Sequence, residues 1–142
     1  MKKLFSTTVN IDAINFWLLV TRVAVGVLML THGLPKLDKL MTGNIQFADP
    51  FGIGPGPSLA LTVFAEAFCS FLLILGLASR FVTIPLIITM LVAIFYAHGA
   101  DPFGKKELAV IYLLLYFGFL VLGPGKYSID YFIGGGKNKR RY

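Results

Sequence analysis

The sequence predicts an all-α protein, a four-helix transmembrane bundle with a long, partly apolar first external loop. Three observations predict it. The 142 residues are 56% hydrophobic and only 14% charged, with a mean hydropathy of +0.77, whereas a soluble domain is nearer a quarter charged. The apolar residues gather into four blocks, 13–33, 58–78, 81–100 and 107–123. Each is close to the roughly 20 residues that carry an α-helix across about 30 Å of hydrocarbon. Strict period-two alternation is absent, which argues against a transmembrane barrel. The same numbers count against a soluble enzyme or a disordered chain. The net charge of +6 is spread between the apolar blocks rather than along one face or stripe, so no nucleic-acid partner is expected.

The first block follows a Met1-Lys2-Lys3 start that resembles a signal peptide. Arg22 interrupts its apolar run, and no small-x-small cleavage site follows before His32, so a retained helix is expected. The loop over 34–57 opens with Leu34, Leu37 and Leu40, a spacing that suits a short interfacial helix. Its end, with Pro50, Gly52, Gly54, Pro55, Gly56 and Pro57, is too rich in Pro and Gly for a helix and should fold over the bundle mouth. A loop this long and apolar reads as a lid or a partner surface. The second and third blocks are almost contiguous and predict a tight antiparallel hairpin. The third and fourth are joined by Asp101-Pro102-Phe103-Gly104-Lys105-Lys106, a short turn with the usual Pro and Gly. The tail, 134–142, is basic and suits contact with anionic lipid. With no composition break and no internal repeat, residues 1–142 are expected to form a single membrane domain. Cys69 is the only cysteine, which rules out an internal disulfide or a CxxC pair.

Four spans would place both termini on one side. Lys2, Lys3, Arg80, Lys126, Lys137, Lys139, Arg140 and Arg141 would share that side, against Lys36, Lys39, Lys105 and Lys106 on the other. The positive-inside bias then puts both termini in the cytoplasm of a bacterial inner membrane. Trp17, Tyr127, Tyr131 and Phe132 would lie at the cytoplasmic interface, where such rings are favoured.

Inside the blocks, the polar residues carry the functional signal. Arg22 and Glu66 each lie well within an apolar run, where a charge costs roughly 2.5–3.5 kcal/mol on insertion scales. Counting from the block ends puts both near mid-membrane, so a mutual ion pair facing the interior is expected, either locking helix register or lining a ligand or proton path. Gly26, Met29 and Gly33 share the Arg22 face and allow close helix approach. Thr62, Cys69 and Ser70 share the Glu66 face, and Cys69 reads as a small buried hydrophobe. A second constellation, His32, Lys36, His98 and Glu107, falls at block ends on the external side. Two imidazoles and an acid there suit proton-coupled chemistry on a quinone head group. One His per helix specifies neither a metal nor a haem, so no metal is assigned. No nucleophile triad, phosphate loop or dinucleotide fingerprint is present.

The string Arg22-x3-Gly26-x5-His32-Gly33-x2-Lys36-Leu37 resembles the first-helix signature of the DoxX family of small bacterial integral membrane proteins. Glu66, Gly76 and Arg80 resemble its second-helix pattern. His98 and the stretch Gly123-Pro124-Gly125-Lys126-Tyr127-Ser128-Ile129-Asp130 resemble its third helix and closing motif. One departure is Ala67-Phe68-Cys69-Ser70 after Glu66, where the family pattern has glycines. The resemblance implies a four-helix inner-membrane protein. It also implies an association with quinone-linked redox complexes, the family being named for a small subunit of a quinone-reducing sulfur oxidoreductase. Three readings follow: a quinone-handling membrane subunit of a redox assembly, a scaffold or receptor subunit, and a small proton-coupled transporter working as a homo-oligomer with Glu66 as proton carrier. Neither a catalytic residue nor a soluble cofactor domain is evident, so a self-sufficient enzyme is the poorest of the readings.

Overall fold

The computed structural model describes residues 8–135; residues 136–142 of the basic tail and the Met1-Lys2-Lys3 start lie outside them. Every regular element among the described residues is helical. The helices are α1 (Ile11–Met41), α2 (Pro55–Leu75), α3 (Ser79–Ala97), α4 (Phe103–Leu122) and a one-turn α5 (Ile129–Ile133). The first three are long and apolar enough to cross a membrane. Helix α4 is 20 residues long and carries Lys105, Lys106 and Glu107 near its start. Helix α1 packs along α2, α2 against α3, and α3 along α4.

Helix α1 starts where the sequence gives it a cap: the Asn10 side chain accepts from the N–H groups of Asp12 and Ala13 at 3.1 and 3.2 Å. It does not stop at Gly33. The expected interfacial helix is the last two turns of α1 itself, running through Pro35 to a Thr42 cap. Proline removes one backbone donor, a loss that membrane helices absorb when neighbours support the chain. Leu30, Leu37, Leu40 and Phe47 supply that support by packing on the buried Leu59, Val63 and Ala67 of α2. The leucine spacing was real, but it reports a helix–helix contact.

Helix α2 begins at Pro55, three residues earlier than the apolar block, because a proline in the first turn loses no hydrogen bond. It ends in a Schellman turn, with Leu77 N donating to Leu72 O at 3.0 Å and Gly76 left-handed at φ 69°. The hairpin is as tight as expected. Ala78, at φ 50°, is the one non-glycine residue in the left-handed region among those described. Its N–H and that of Ser79 are both held by the Asp130 carboxylate at 2.6 and 2.8 Å. The closing segment thus caps the start of α3.

Two stretches of π-helix interrupt the α pattern, Phe64–Cys69 within α2 and Ala93–Ala97 at the end of α3. Both lie beside the polar cavity described next. Such segments recur at functional sites because the extra residue per turn re-aims side chains.

Candidate functional site

The depth of each charge is fixed by how α1 and α2 meet. A Cβ at Gly33 would lie 2.6 Å from the Glu66 carbonyl carbon and 2.7 Å from Ala67 N, so the two backbones touch there. Gly26 meets Ser70 and Ile74, and Arg22 meets Gly76. Glu66 is therefore level with Gly33, about 16 Å along α1 from Arg22 at 1.5 Å per residue. The expected Arg22–Glu66 ion pair is not formed. Block ends had suggested equal depth, but the glycine contacts set a register shifted toward the far end of α1.

Each charge has another partner. Both Glu66 carboxylate oxygens accept from Lys36 Nζ, at 2.6 and 2.5 Å. Glu66 is buried and the Lys36 side chain is 29% exposed, so the pair lies at the edge of the core rather than sealed within it. Lys36 reaches Glu66 because α1 continues past Gly33. Arg22, 1% exposed, turns to the opposite end of the bundle. Its two terminal nitrogens donate to Pro124 O and Tyr127 O at 2.7 and 2.8 Å. Lys126 N donates to Asn15 Oδ1 at 2.8 Å and Ser128 Oγ to Gly125 O at 2.7 Å, so the closing segment is tied down at several points. Arg22 is a structural anchor of that segment.

A cavity of about 190 Å³ opens beside the Lys36–Glu66 pair. His32, Lys36, Glu66, His98, Lys105 and Tyr112 supply its polar lining, and Met29, Met90, Leu108 and Ala109 its apolar wall. The His32 ring stands edge-on to Tyr112, with centroids 6.3 Å apart. His98 Nδ1 is 2.8 Å from Asp101 Oδ2, and Lys105 Nζ is 3.5 Å from Asp101 Oδ1. The hydrogen bond with His98, reinforced by the Lys105 charge, holds the Asp101 carboxyl below the usual carboxylate range despite some desolvation. His32, Lys36 and His98 line the same cavity. Glu107 does not join them: it is exposed on α4 outside the cavity, because α4 starts at Phe103 and turns that position away.

The loop after α1 was expected to roof this site. It covers a different place. Pro50 and Phe51 line an apolar groove of about 310 Å³ between α2 and α3, with Thr62, Ala65, Ile88 and Thr89. Asp49 fixes the loop, accepting from Gly54 N at 2.8 Å, Ser58 Oγ at 2.8 Å and Ile53 N at 3.1 Å. Desolvation opposes its ionisation, but these hydrogen bonds outweigh that and hold its carboxyl below the ordinary range. The loop reaches the neighbourhood of the polar cavity through the cation–π approach of Lys36 to Phe47, 6.0 Å, and through Tyr96 OH, which donates to Asp49 O at 3.3 Å.

The profile of the DoxX family matches residues 17–99 of this chain. The chain belongs to the DoxX family. It is an integral membrane protein of that family, with three helices long and apolar enough to span the bilayer. The match takes in Arg22, His32, Lys36, Glu66 and His98. It ends before Lys105, Tyr112 and the closing segment. No match is found among curated proteins or among solved structures. Sequence reasoning paired the wrong cation with Glu66 and missed Asp101, Lys105 and Tyr112 as parts of the site. Asp101 and Lys105 carried a faint signal, being charged residues in a turn next to His98. Tyr112 carried none, since an aromatic residue in an apolar run is ordinary core.

Proposed function

We propose that this DoxX protein is a quinone-handling membrane subunit of a redox assembly that binds the quinone head group in the cavity beside Lys36 and Glu66. In this reading α4 is a fourth span, its charged first turn lying at the interface. Both termini face the cytoplasm across a bacterial inner membrane, and a partner protein completes the electron path. The observation that carries the reading is a hydrogen-bonded Lys–Glu pair, two imidazoles and a tyrosine around one small cavity between membrane-embedded helices. Intramembrane ionisable residues that face a cavity mark ligand or proton pathways.

The donor set fits a quinone head group. At about 190 Å³ the cavity is smaller than the roughly 300–1,000 Å³ of sites for drug-sized ligands. It suits a single ring, with an apolar wall on one side and hydrogen-bonding groups on the other. A bound quinone supplies reversible two-electron, two-proton chemistry. The chain's own residues orient the ring: Lys36, Lys105 and the Tyr112 hydroxyl offer donors to carbonyl oxygens, while His32 and His98 offer ring nitrogens that can donate or accept. The Glu66 carboxylate holds the Lys36 ammonium at the cavity wall.

The test is extraction of quinone from protein purified in mild detergent, quantified by chromatography and mass spectrometry. Near-stoichiometric quinone is expected in the native protein and a large loss in Glu66→Gln and His32→Ala. Quinone levels no higher than in a control membrane protein, with a stoichiometric protein partner instead, would replace this reading with a scaffold role. A periplasm-active reporter should be silent when fused after Tyr142 and active when inserted near Gly54. The reverse pattern would overturn the orientation.

A further inference from the structure

The polar groups around the cavity do not all face it on equal terms. Among the described residues, His98 is the one imidazole with a carboxylate partner. A carboxylate at one ring nitrogen holds the proton there and leaves the other nitrogen as an acceptor. With Nδ1 engaged by Asp101 at 2.8 Å, Nε2 is the ring nitrogen left for a ligand in the cavity that His98 lines. His32 stands edge-on to Tyr112 instead. The charged groups around His98 are Lys36 on α1, Glu66 on α2, Asp101 in the turn after α3, and Lys105 on α4, with His32 and Tyr112 the remaining titratable groups. The four charges balance, with Lys36 paired to Glu66 and Lys105 Nζ 3.5 Å from Asp101, so the imidazole dyad of His98 and Asp101 is the group that sets the site's proton chemistry.

We infer that the cavity takes a ring bearing a phenolic hydroxyl, the reduced form of a quinone, and that His98 Nε2 accepts its proton with Asp101 as the positioning residue. The inference rests on the quinone reading and specifies which form the site is built for. In the step, the phenol O–H bond breaks, its proton forms a bond to Nε2, and the electron pair stays on oxygen. The resulting phenolate lies among Lys36 and Lys105, and the imidazolium is held by Asp101. The His98 and Asp101 side chains are 41% and 33% exposed, so the proton passes on to water at the mouth. No electron transfer is involved in this step. The low Asp101 ionisation point agrees with it, because that carboxylate stays charged throughout the neutral range.

The test uses two probes, 4-nitrophenol and its methyl ether 4-nitroanisole, with the full-length protein in lipid nanodiscs. The phenolate of 4-nitrophenol absorbs in the visible and its neutral form does not, so the spectrum reads the ionisation of the bound ring. The measurement is made below the ionisation point of the free probe, against protein-free nanodiscs. A phenolate band is expected with the native protein. His98→Gln and Asp101→Asn should lower the bound phenolate-to-phenol ratio by about tenfold or more, equal to one unit in that equilibrium. Asp101→Glu should restore it. Binding of 4-nitroanisole, which has no proton to lose, should be unchanged in all three variants and shows that each still folds around the cavity. Bound 4-nitrophenol that stays neutral in the native protein, or a band that persists in both His98→Gln and Asp101→Asn, would overturn the proton-accepting role while leaving the quinone reading intact. Failure of 4-nitroanisole to bind the native protein would overturn the quinone reading and this inference with it.

Discussion

Lys36 and Glu66 are unequal partners. Glu66 is buried, whereas Lys36 keeps part of its stem and ammonium in reach of water. Removing the lysine strands a carboxylate in low dielectric, a loss that typically costs about 3–5 kcal/mol for a buried pair. Removing the glutamate leaves an ammonium that is already partly solvated. Lys36→Met should therefore lower thermal stability in detergent more than Glu66→Gln. The double variant should be more stable than the sum of the single losses predicts. A double variant equal to that sum would show that the two do not act as a pair. Acid sensitivity also resides in single residues. Asp49 and Asp101 both have carboxyls held below their unfolded value of about 3.9. Their contribution to stability is complete above that value and is lost as pH falls through the lower folded value. Melting temperatures should thus be flat from pH 7 to 5 and fall below pH 4. Asp49→Asn should flatten that fall by removing the loop's share of it.

At the scale of elements, α1 and α2 are registered by glycine. Gly33 has no room for a methyl group against the Glu66 backbone, so Gly33→Ala must push the helices apart and disturb the Lys36–Glu66 contact. Gly118, in the middle of α4, has open space around its Cα, and Gly118→Ala should hold or gain up to about 1 kcal/mol from helix propensity. Thermal melts of the two variants, opposite in sign, check the assignment. The small residues on the Arg22 face were legible from spacing alone, as was the burial of Arg22 and Glu66. Their pairing was not. Composition shows that a charge needs a partner, but only the contact register says which one. Counting from apolar block ends misplaces that register, because α1 runs on past Gly33 beside the first turns of α2 and so brings Lys36 to Glu66. The π-helical stretches were also invisible, since they leave hydropathy unchanged and differ only in which carbonyl each N–H selects.

For the molecule as a whole, membrane insertion and helical class were plain from composition, whereas the closing segment offered only a family motif and aromatic rings suited to the membrane interface. It is a clasp. Arg22 holds its carbonyls, Asn15 accepts from Lys126 N, and Asp130 reaches back to the start of α3. Arg22→Leu or Asp130→Asn should release it, and trypsin should cleave after Lys126 several-fold faster in either variant than in the native protein. Unchanged cleavage would show that the clasp is held elsewhere.

That clasp also gives the protein a clock. Arg22 and its nearer acceptor, Pro124, are 102 positions apart in the chain. At about 5–20 residues per second of synthesis, the acceptor is made roughly 5–20 s after the arginine. Through that interval α1 has a guanidinium without its final partners, a poor passenger for hydrocarbon. Biogenesis must hold the first helix in a polar or protein-lined waiting place until Pro124 and Tyr127 emerge. A nascent chain arrested before Pro124 should still be recognised as immature by the membrane's quality-control proteases, and one arrested after Tyr127 should escape them.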